Sequence, residues 1–292
     1  MSGSGFDATA PLVPSGNLGR RQIFSRLAEA SATAAAVLAI AVLAVVIYTV
    51  ASRGAEAISW EFLTTGEPTG IAPALVGTAA IVAIATAIAM PLGVLIALYL
   101  TEFAGDRASR AVRMTLDLTN GLPSIVIGLF VFGLLIKPLE KQMAFAGSVA
   151  LAIIELPLIA RGTQEVLLLV PRGLREASDA LGVSRWRSVL GVTLPSAMGG
   201  IVTATVLAVA RAAGETAPLI FASSVFDATK VGLNPFEALP NVPVTIFFLS
   251  EEGNPTGFAR AWGASLVLIA IILVASLGAR ALLARNRERM TR

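Results

Sequence analysis

Two ionisable residues lie four positions apart inside an otherwise apolar stretch of the sequence. Arg211 and Glu215 belong to the string ARAAGETAP at residues 210–218. A spacing of four places both side chains on one face of a helix. An ionised side chain at mid-bilayer costs at least ~2.5–3.5 kcal/mol, so the pair persists only where it faces protein, water or a counter-charge. Gly214 and Pro218 favour an opened helix that brings water and backbone groups to the pair. The alternative is an ion pair that only fixes helix packing.

A third charged residue, Arg161, follows Pro157 at the predicted inner end of another apolar run. Alone, it is typical of a boundary arginine whose guanidinium reaches water. Paired with Arg211 across a pore, it would add a second fork of donors that matches two oxygens of a tetrahedral oxyanion. We therefore predict that Arg161, Arg211 and Glu215 form the substrate pathway of an anion such as phosphate. We assign no role to Glu155, which lies in the same run.

Glu215 supplies a possible basis for anion selection in this hypothesis. It would hold Arg211 in position and accept the proton that phosphate carries at neutral pH. Sulfate lacks that proton, so its oxygens would face the carboxylate without a donor between them.

A polar island at residues 171–195 separates two apolar runs. Its first part has apolar residues three and four apart on one stripe of a short helix: Leu174, Ala177 and Leu181. Gly182 permits a sharp turn, and we predict a second short helix through Trp186 and Val189. Two small helices of this kind would fit a groove on a soluble partner. The alternative is a basic loop held to anionic lipid headgroups by Arg175, Arg185 and Arg187.

The spacing within the island resembles the signature of ABC-importer permeases. Residues 176–178 (Glu-Ala-Ser), three residues, Gly182, nine residues and then 192–195 (Val-Thr-Leu-Pro) match Glu-Ala-Ala, x3, Gly, x9, Ile-x-Leu-Pro, with Ser178 and Val192 as near-isosteric departures. In that family this loop is the coupling helix, which sits in a cleft of the ATPase subunit. The resemblance implies the same role for five residues: Glu176, Ala177, Ser178, Leu181 and Gly182.

Further stretches are similar to the PstA-type permeases of high-affinity phosphate importers. They are residues 120–130 (NGLPSIVIGLF), 208–221 and 174–181, and the similarity runs from about Gly70 to Ala281. It implies an all-α membrane protein with the ABC type I importer (MetI-like) permease fold. It also implies a heterodimer with a PstC-type permease, a PstB-type ATPase dimer and a PstS-type phosphate-binding protein outside. ATP and Mg²⁺ would be bound by the ATPase, and this chain would bind no cofactor.

Composition is typical of a multi-pass membrane protein. The chain of 292 residues is 55% hydrophobic and 14% charged, whereas about a quarter of the residues of a soluble domain are charged. Apolar runs predict six transmembrane helices. These spans are Ala28–Ala51, Pro73–Leu100, Leu116–Ile136, Met143–Ala160, Pro195–Ser224 and Ala261–Leu283. Pro123 and Gly121 are expected to interrupt the start of the third, and an apolar patch at residues 242–249 is too short to span and would lie in the interface or fold back as a re-entrant segment.

The predicted organisation follows from these runs. Residues 1–27 would be a flexible cytoplasmic tail, 28–51 the first transmembrane helix, 70–283 the permease domain and 284–292 a basic cytoplasmic tail. The permease domain would include the cytoplasmic coupling loop 171–195 and the outer loop 225–260.

Basic residues near the span ends predict the orientation, because cytoplasmic loops of membrane proteins are enriched in Lys and Arg. One face collects Arg20, Arg21, Arg26, Arg107, Arg110, Arg113, Arg161, Arg172, Arg175, Arg185, Arg187, Arg280, Arg285, Arg287, Arg289 and Arg292. The other has only Arg53, Lys137, Lys141, Lys230 and Arg260. The polar island and both termini should therefore be cytoplasmic, in a bacterial plasma (inner) membrane.

The residue inventory bears on other classes of function. The sequence has no cysteine and no histidine, so we expect neither a thiolate or imidazole metal site nor a catalytic dyad of those residues. No lysine follows a glycine, so a phosphate-cradling loop is missing and ATP hydrolysis would belong to another chain. We predict a non-enzymatic subunit that contacts lipid and binds no nucleic acid. Transport of sulfate or molybdate by the same architecture is the main alternative, and a membrane scaffold or signalling subunit is the other.

Overall fold

The structure, a computed structural model, describes residues 18–225 and 228–290, and all regular secondary structure among them is helical. Eleven helices are used below. They are α1 (Leu18–Gly54), α2 (Trp60–Thr64), α3 (Ala72–Phe103), α4 (Asp106–Gly121), α5 (Ser124–Leu139), α6 (Ala144–Leu168), α7 (Arg172–Ala180), α8 (Arg185–Ala212), α9 (Ala217–Ala222), α10 (Val242–Glu251) and α11 (Pro255–Met290). The last turn of α3, the middle of α5 and the second turn of α8 are π-helical.

The chain divides after Ala51 into two units. The first unit contains most of α1, whose apolar side chains are exposed along its length, among them Val37, Leu38 and Ile40. Helix α1 begins at Leu18, ten residues before the predicted start of the first span at Ala28. Residues 18–27 of the predicted tail are thus helical, and residues 1–17 lie outside the described part of the chain.

Among the described residues, five helices are long and apolar enough to cross a membrane, namely α1, α3, α6, α8 and α11. The third predicted span along the chain, residues 116–136, is not one straight helix. It corresponds to two helices, α4 and α5, which meet at an angle of 97° and are called a broken pair below. The break falls at Leu122, whose backbone is extended, and Pro123. Proline has no N–H to donate and disfavours helix at the residue before it. Sequence therefore located the interruption correctly, but the bend divides the predicted span instead of only loosening its first turn.

The fifth predicted span, residues 195–224, also differs from the structure. Helix α8 ends at Ala212, and the chain is non-helical until α9 begins at Ala217. At its other end, α8 begins at Arg185, so the second short helix predicted in the polar island is the first turn of a long membrane helix. Likewise, α6 continues to Leu168, past its predicted end at Ala160, and α11 continues to Met290, past Leu283.

Helices α3, α6 and α8 form the centre of the second unit. Their contacts depend on small residues, which let helix backbones approach closely in membranes. A Cβ atom on Gly162 of α6 would lie 2.6 Å from Cβ of Ala204 on α8, and one on Gly93 of α3 would lie 2.9 Å from Ile159 of α6. Among the fully buried residues of this cluster are Ala85, Ala150 and Leu151.

The short apolar patch of the outer loop forms α10, which packs against α3 and α11. Asn241 caps it by accepting a hydrogen bond from the Val244 N–H at 3.1 Å. The Val242 N–H donates to Thr78 Oγ1 on α3 at 2.8 Å. Five residues of the helix are buried: Val242, Pro243, Val244, Thr245 and Leu249. The patch is therefore a short buried helix, which agrees with the expectation that it does not span.

Helices α8 and α9, separated by the non-helical residues 213–216, are a second broken pair. It contacts the first where α5 packs against α9. A Cβ atom on Gly128 would lie 2.6 Å from Cα of Pro218, and the rings of Phe132 and Phe221 meet edge to face with centroids 6.3 Å apart. Gly128 belongs to the string NGLPSIVIGLF, so at least this residue of the motif is required for close packing.

Replacing Gly128 by alanine should destabilise this contact. The added methyl group meets backbone, which cannot rotate away, and overpacking of this kind costs about 1–3 kcal/mol. We expect Gly128→Ala to lower the midpoint of thermal unfolding of the purified protein in detergent. Gly133→Ala in the same helix is the control, because nothing lies within 4 Å of its added Cβ. Equal midpoints for the two variants would contradict the close contact.

Candidate functional site

The predicted pair of Arg211 and Glu215 lies at the break between α8 and α9. Arg211 is in the last turn of α8, and Nε lies 3.6 Å from Oε1 of Glu215. Glu215 itself is not helical: its N–H donates to the Ala212 carbonyl at 3.1 Å. The Arg211 side chain is 52% exposed and that of Glu215 is 17% exposed. The helix therefore opens between the two charges, as Gly214 and Pro218 predicted, and leaves the guanidinium partly free for another partner.

Arg161 has a carboxylate of its own. Its guanidinium forms an ion pair with Asp117 of α4, and the two side chains are 42% and 57% exposed. A recess of about 270 Å³ surrounds the pair. Its charged lining consists of Arg113, Asp117, Arg161 and Glu165. Two positive and two negative groups balance there, so the recess has no excess charge that would hold an anion strongly.

The geometry thus places the two arginines in separate surroundings. Helices α6 and α8 are antiparallel neighbours, since Gly162 faces Ala204 and Gly200 faces Val166. Within the described part of the chain, Arg161 pairs with Asp117 and Arg211 pairs with Glu215, and no ion pair or hydrogen bond connects the two sites. Their joint role in a pathway remains a prediction, in which the two act at different positions along the helices.

Glu155 is the most deeply buried carboxylate of the membrane helices described. Its side chain is fully buried in α6, and Oε2 accepts a hydrogen bond from Thr86 of α3 at 3.0 Å. Its other oxygen has no partner among the described residues. The hydrogen bond joins two helices that already pack closely, so its evident effect is on the packing of α3 against α6.

A larger recess, of about 480 Å³, lies between α3, α8, α10 and α11. Its lining is apolar apart from the hydroxyl groups of Thr78, Thr86 and Ser276. It offers no cationic donor, so an oxyanion would lose its hydration there without replacement. This recess is therefore not suited to bind an anion, although it is the larger of the two recesses described here.

The polar island forms a knob at the other end of α8. Leu181 is 82% exposed directly after α7, and Gly182 has a φ of +70°, in the left-handed region. Glu176 and Ala177 are also exposed, whereas Ser178 is buried. An exposed leucine on a tight, glycine-dependent turn is suited to insertion into a groove.

The sequence did not reveal Asp117, the partner of the predicted residue Arg161. It also did not reveal Thr86, which donates to Glu155, or Glu102, which pairs with Arg175. The sequence does give one signal for Asp117, because an acidic residue near the start of a predicted span raises the free energy of membrane insertion unless it has a partner. The other two contacts join helices far apart in sequence and leave no local signal.

The geometry can now be compared with known proteins. Residues 89–291 match the model of the family described as binding-protein-dependent transport system inner membrane component. The chain belongs to this family. The permease is therefore a multi-pass inner-membrane protein and a component of a binding-protein-dependent transport system.

Relatives and a solved structure agree with this assignment. The permease is 41% identical to the phosphate transport system permease protein PstA 1 of Mycobacterium tuberculosis over 72% of its own length and 69% of that protein's. It is 32% identical to the phosphate transport system permease protein PstA of Yersinia pestis, over 83% and 84% of the two chains. The inward-facing MetNI methionine ABC transporter matches with a TM-score of 0.58 at 21% identity, over 74% and 94% of the chains. The predicted similarity to PstA-type permeases and the MetI-like fold are confirmed.

Substituting Gly182 should loosen the turn of the knob. A residue with a Cβ atom pays roughly 1–2 kcal/mol in the left-handed region, so amides of residues 172–188 should exchange about fivefold to thirtyfold faster in Gly182→Ala. Gly173→Ala in α7 is the matched control, because nothing lies within 4 Å of its added Cβ and its φ is ordinary. Hydrogen exchange followed by mass spectrometry measures the difference. Unchanged exchange in Gly182→Ala would show that the turn does not depend on glycine.

Proposed function

We propose that this permease is the transmembrane subunit of an ATP-driven importer of inorganic phosphate. It forms half of the translocation pathway and couples that pathway to a separate ATPase. The observation that carries the substrate assignment is the Arg211–Glu215 pair at an open break in a membrane helix, in a chain 41% identical to a protein named as a phosphate transport permease.

The chemistry of the pair supports phosphate. A guanidinium presents parallel N–H donors that match two oxygens of a tetrahedral oxyanion. In the structure Arg211 contacts Glu215 through Nε, which leaves donors of the two terminal nitrogens for an anion. Glu215 lies beside the same position, and its carboxylate can accept a hydrogen bond from the P–OH group of hydrogen phosphate. Arg161, about two turns from the end of α6, serves the same pathway nearer the cytoplasm and is held there by Asp117.

The proposed assembly has the subunits of the phosphate importers whose PstA-type permeases this chain resembles. A PstC-type permease supplies the other half of the pathway, a PstB-type ATPase dimer receives the knob formed by Glu176, Ala177, Ser178, Leu181 and Gly182, and a PstS-type protein delivers phosphate from outside. ATP and Mg²⁺ bind to the ATPase, so this chain is not an enzyme and holds no cofactor. Both termini lie in the cytoplasm, where the basic residues near the span ends collect.

Uptake of labelled anions tests the substrate assignment. In cells that lack other phosphate importers, Arg211→Ala should reduce phosphate uptake at least about tenfold, because an interface charge that loses its partner costs ~2–5 kcal/mol. Glu215→Gln should reduce phosphate uptake and bring it closer to that of sulfate. Arg110→Gln, on the exposed side of α4, is the control and should behave as the parent.

Three outcomes would oppose this assignment. Equal phosphate and sulfate uptake by Glu215→Gln and by the parent would remove the selectivity argument. Uptake of sulfate or molybdate in preference to phosphate by the parent would favour the alternative oxyanion. A membrane scaffold would keep its function when Arg211 and Glu215 are both replaced by leucine.

Affinity purification through a tag on this chain tests the assembly. In mild detergent we expect a second, different six-span permease to purify with it in equal amount and an ATPase in twice that amount. Replacement of the exposed Leu181 by aspartate should remove the ATPase and retain the second permease. A preparation that contains only copies of this chain would contradict the heterodimer.

A further inference from the structure

The inner end of α3 is attached to the polar island at two points. Helix α3 finishes in a π-helical turn, Tyr99–Phe103, whose last two residues each contact a different island helix. The carboxylate of Glu102 meets Arg175 of α7, and the ring of Phe103 meets Trp186 of α8. These four residues are called the inner clasp below.

The ion pair of the inner clasp is the more enclosed part. Glu102 Oε1 lies 2.9 Å from Nη2 of Arg175, and the Glu102 side chain is only 8% exposed. The same Nη2 donates to the carbonyl oxygen of Leu167, in the last turn of α6, at 2.9 Å. Arg175 therefore joins three helices at one point. A buried carboxylate is strongly destabilising when its partner is removed, so this ion pair favours the attachment of Glu102 to α7 although no hydrogen bond to Oε1 from the described residues accompanies it.

The aromatic part of the inner clasp holds Phe103, the residue after Glu102, against α8. The rings of Phe103 and Trp186 have centroids 4.8 Å apart and an interplanar angle of 30°. The guanidinium of Arg185 lies 5.4 Å from the centroid of the Phe103 ring. Phe103 is thus enclosed between two consecutive residues of the first turn of α8. An aromatic pair and a cation–π contact therefore both attach Phe103 to the start of α8.

The two attachments flank the exposed part of the island. Between α7 and α8 lie Leu181, which is largely exposed, and Gly182, beside whose added Cβ there is nothing within 4 Å. A partner protein that binds Leu181 can therefore move α7 and the start of α8 together. Because Glu102 and Phe103 are held to both, the inner end of α3 must follow that movement.

We infer that Glu102, Phe103, Arg175 and Trp186 are positioning residues that transmit the movement of the island to α3. This inference rests on the proposed function and goes beyond it, since it identifies which membrane helix receives the movement and through which side chains. Arg175 and Arg185 are thereby assigned to contacts within the protein, in place of the lipid headgroups considered for them from sequence.

The assembled importer in liposomes tests the inner clasp. Two quantities are measured: phosphate transported per ATP hydrolysed, and the stimulation of ATP hydrolysis by the binding protein of the same system. Arg175→Ala and Glu102→Gln should lower both by about tenfold or more, while the ATPase still co-purifies. Exchange of the two charges, Glu102→Arg with Arg175→Glu, should restore at least half of the parental ratio. Phe103→Ala should lower the ratio as well.

The control is Arg172→Ala, an exposed arginine on the same helix, which should match the parent. A parental ratio in both Arg175→Ala and Glu102→Gln would overturn the inference. So would a loss of assembly in these variants that the charge exchange does not restore. If the parent transports no phosphate, the proposed function fails. Stimulation of ATP hydrolysis by the binding protein would still distinguish the variants from the parent and decide the role of the inner clasp.

Discussion

A charge within a lipid bilayer needs a partner, because hydrocarbon supplies none, and this constraint governs the polar residues of the membrane helices. Arg161 has Asp117, Arg211 has Glu215, and Glu155 has the hydroxyl of Thr86. The partners differ in how completely they satisfy the charge. Arg211, whose side chain is 52% exposed against 42% for Arg161, is the less enclosed of these two arginines.

Broken helices make this arrangement possible. A continuous helix satisfies its own backbone and offers nothing to a polar ligand, whereas a break exposes N–H and carbonyl groups within the membrane region. Both breaks depend on proline or glycine: Pro123 separates α4 from α5, and Gly214 lies between α8 and α9. Close packing of Gly128 against Pro218 holds the two broken pairs together. The motif that resembles phosphate permeases is therefore also a requirement of packing.

Sequence was sufficient for features that depend on local chemistry. The spacing of Arg211 and Glu215 predicted their ion pair, and Gly214 and Pro218 predicted the opening of the helix beside it. Pro123 predicted the interruption of the helix near residue 122. What could not be predicted depends on contacts between distant segments or on helix that continues into polar sequence. Asp117 of α4 and Arg161 of α6 are 44 positions apart in the sequence, so no local pattern predicts their ion pair. Helix α8 begins at Arg185 although its first residues are polar, so hydropathy alone placed its start ten residues too late.

The continuity of α8 has a geometric consequence. Trp186 lies in its first turn and Arg211 in its last, and a helix of 28 residues is about 40 Å long. The knob and Arg211 thus lie at opposite ends of one continuous helical rod, and the direction in which Arg211 points relative to the knob depends on how many residues lie between them and on how tightly those residues are wound. Each residue of helix turns the chain by about 100°. The π-helical turn at residues 189–193 accommodates one extra residue within this rod, so it fixes the direction in which Arg211 points relative to the knob.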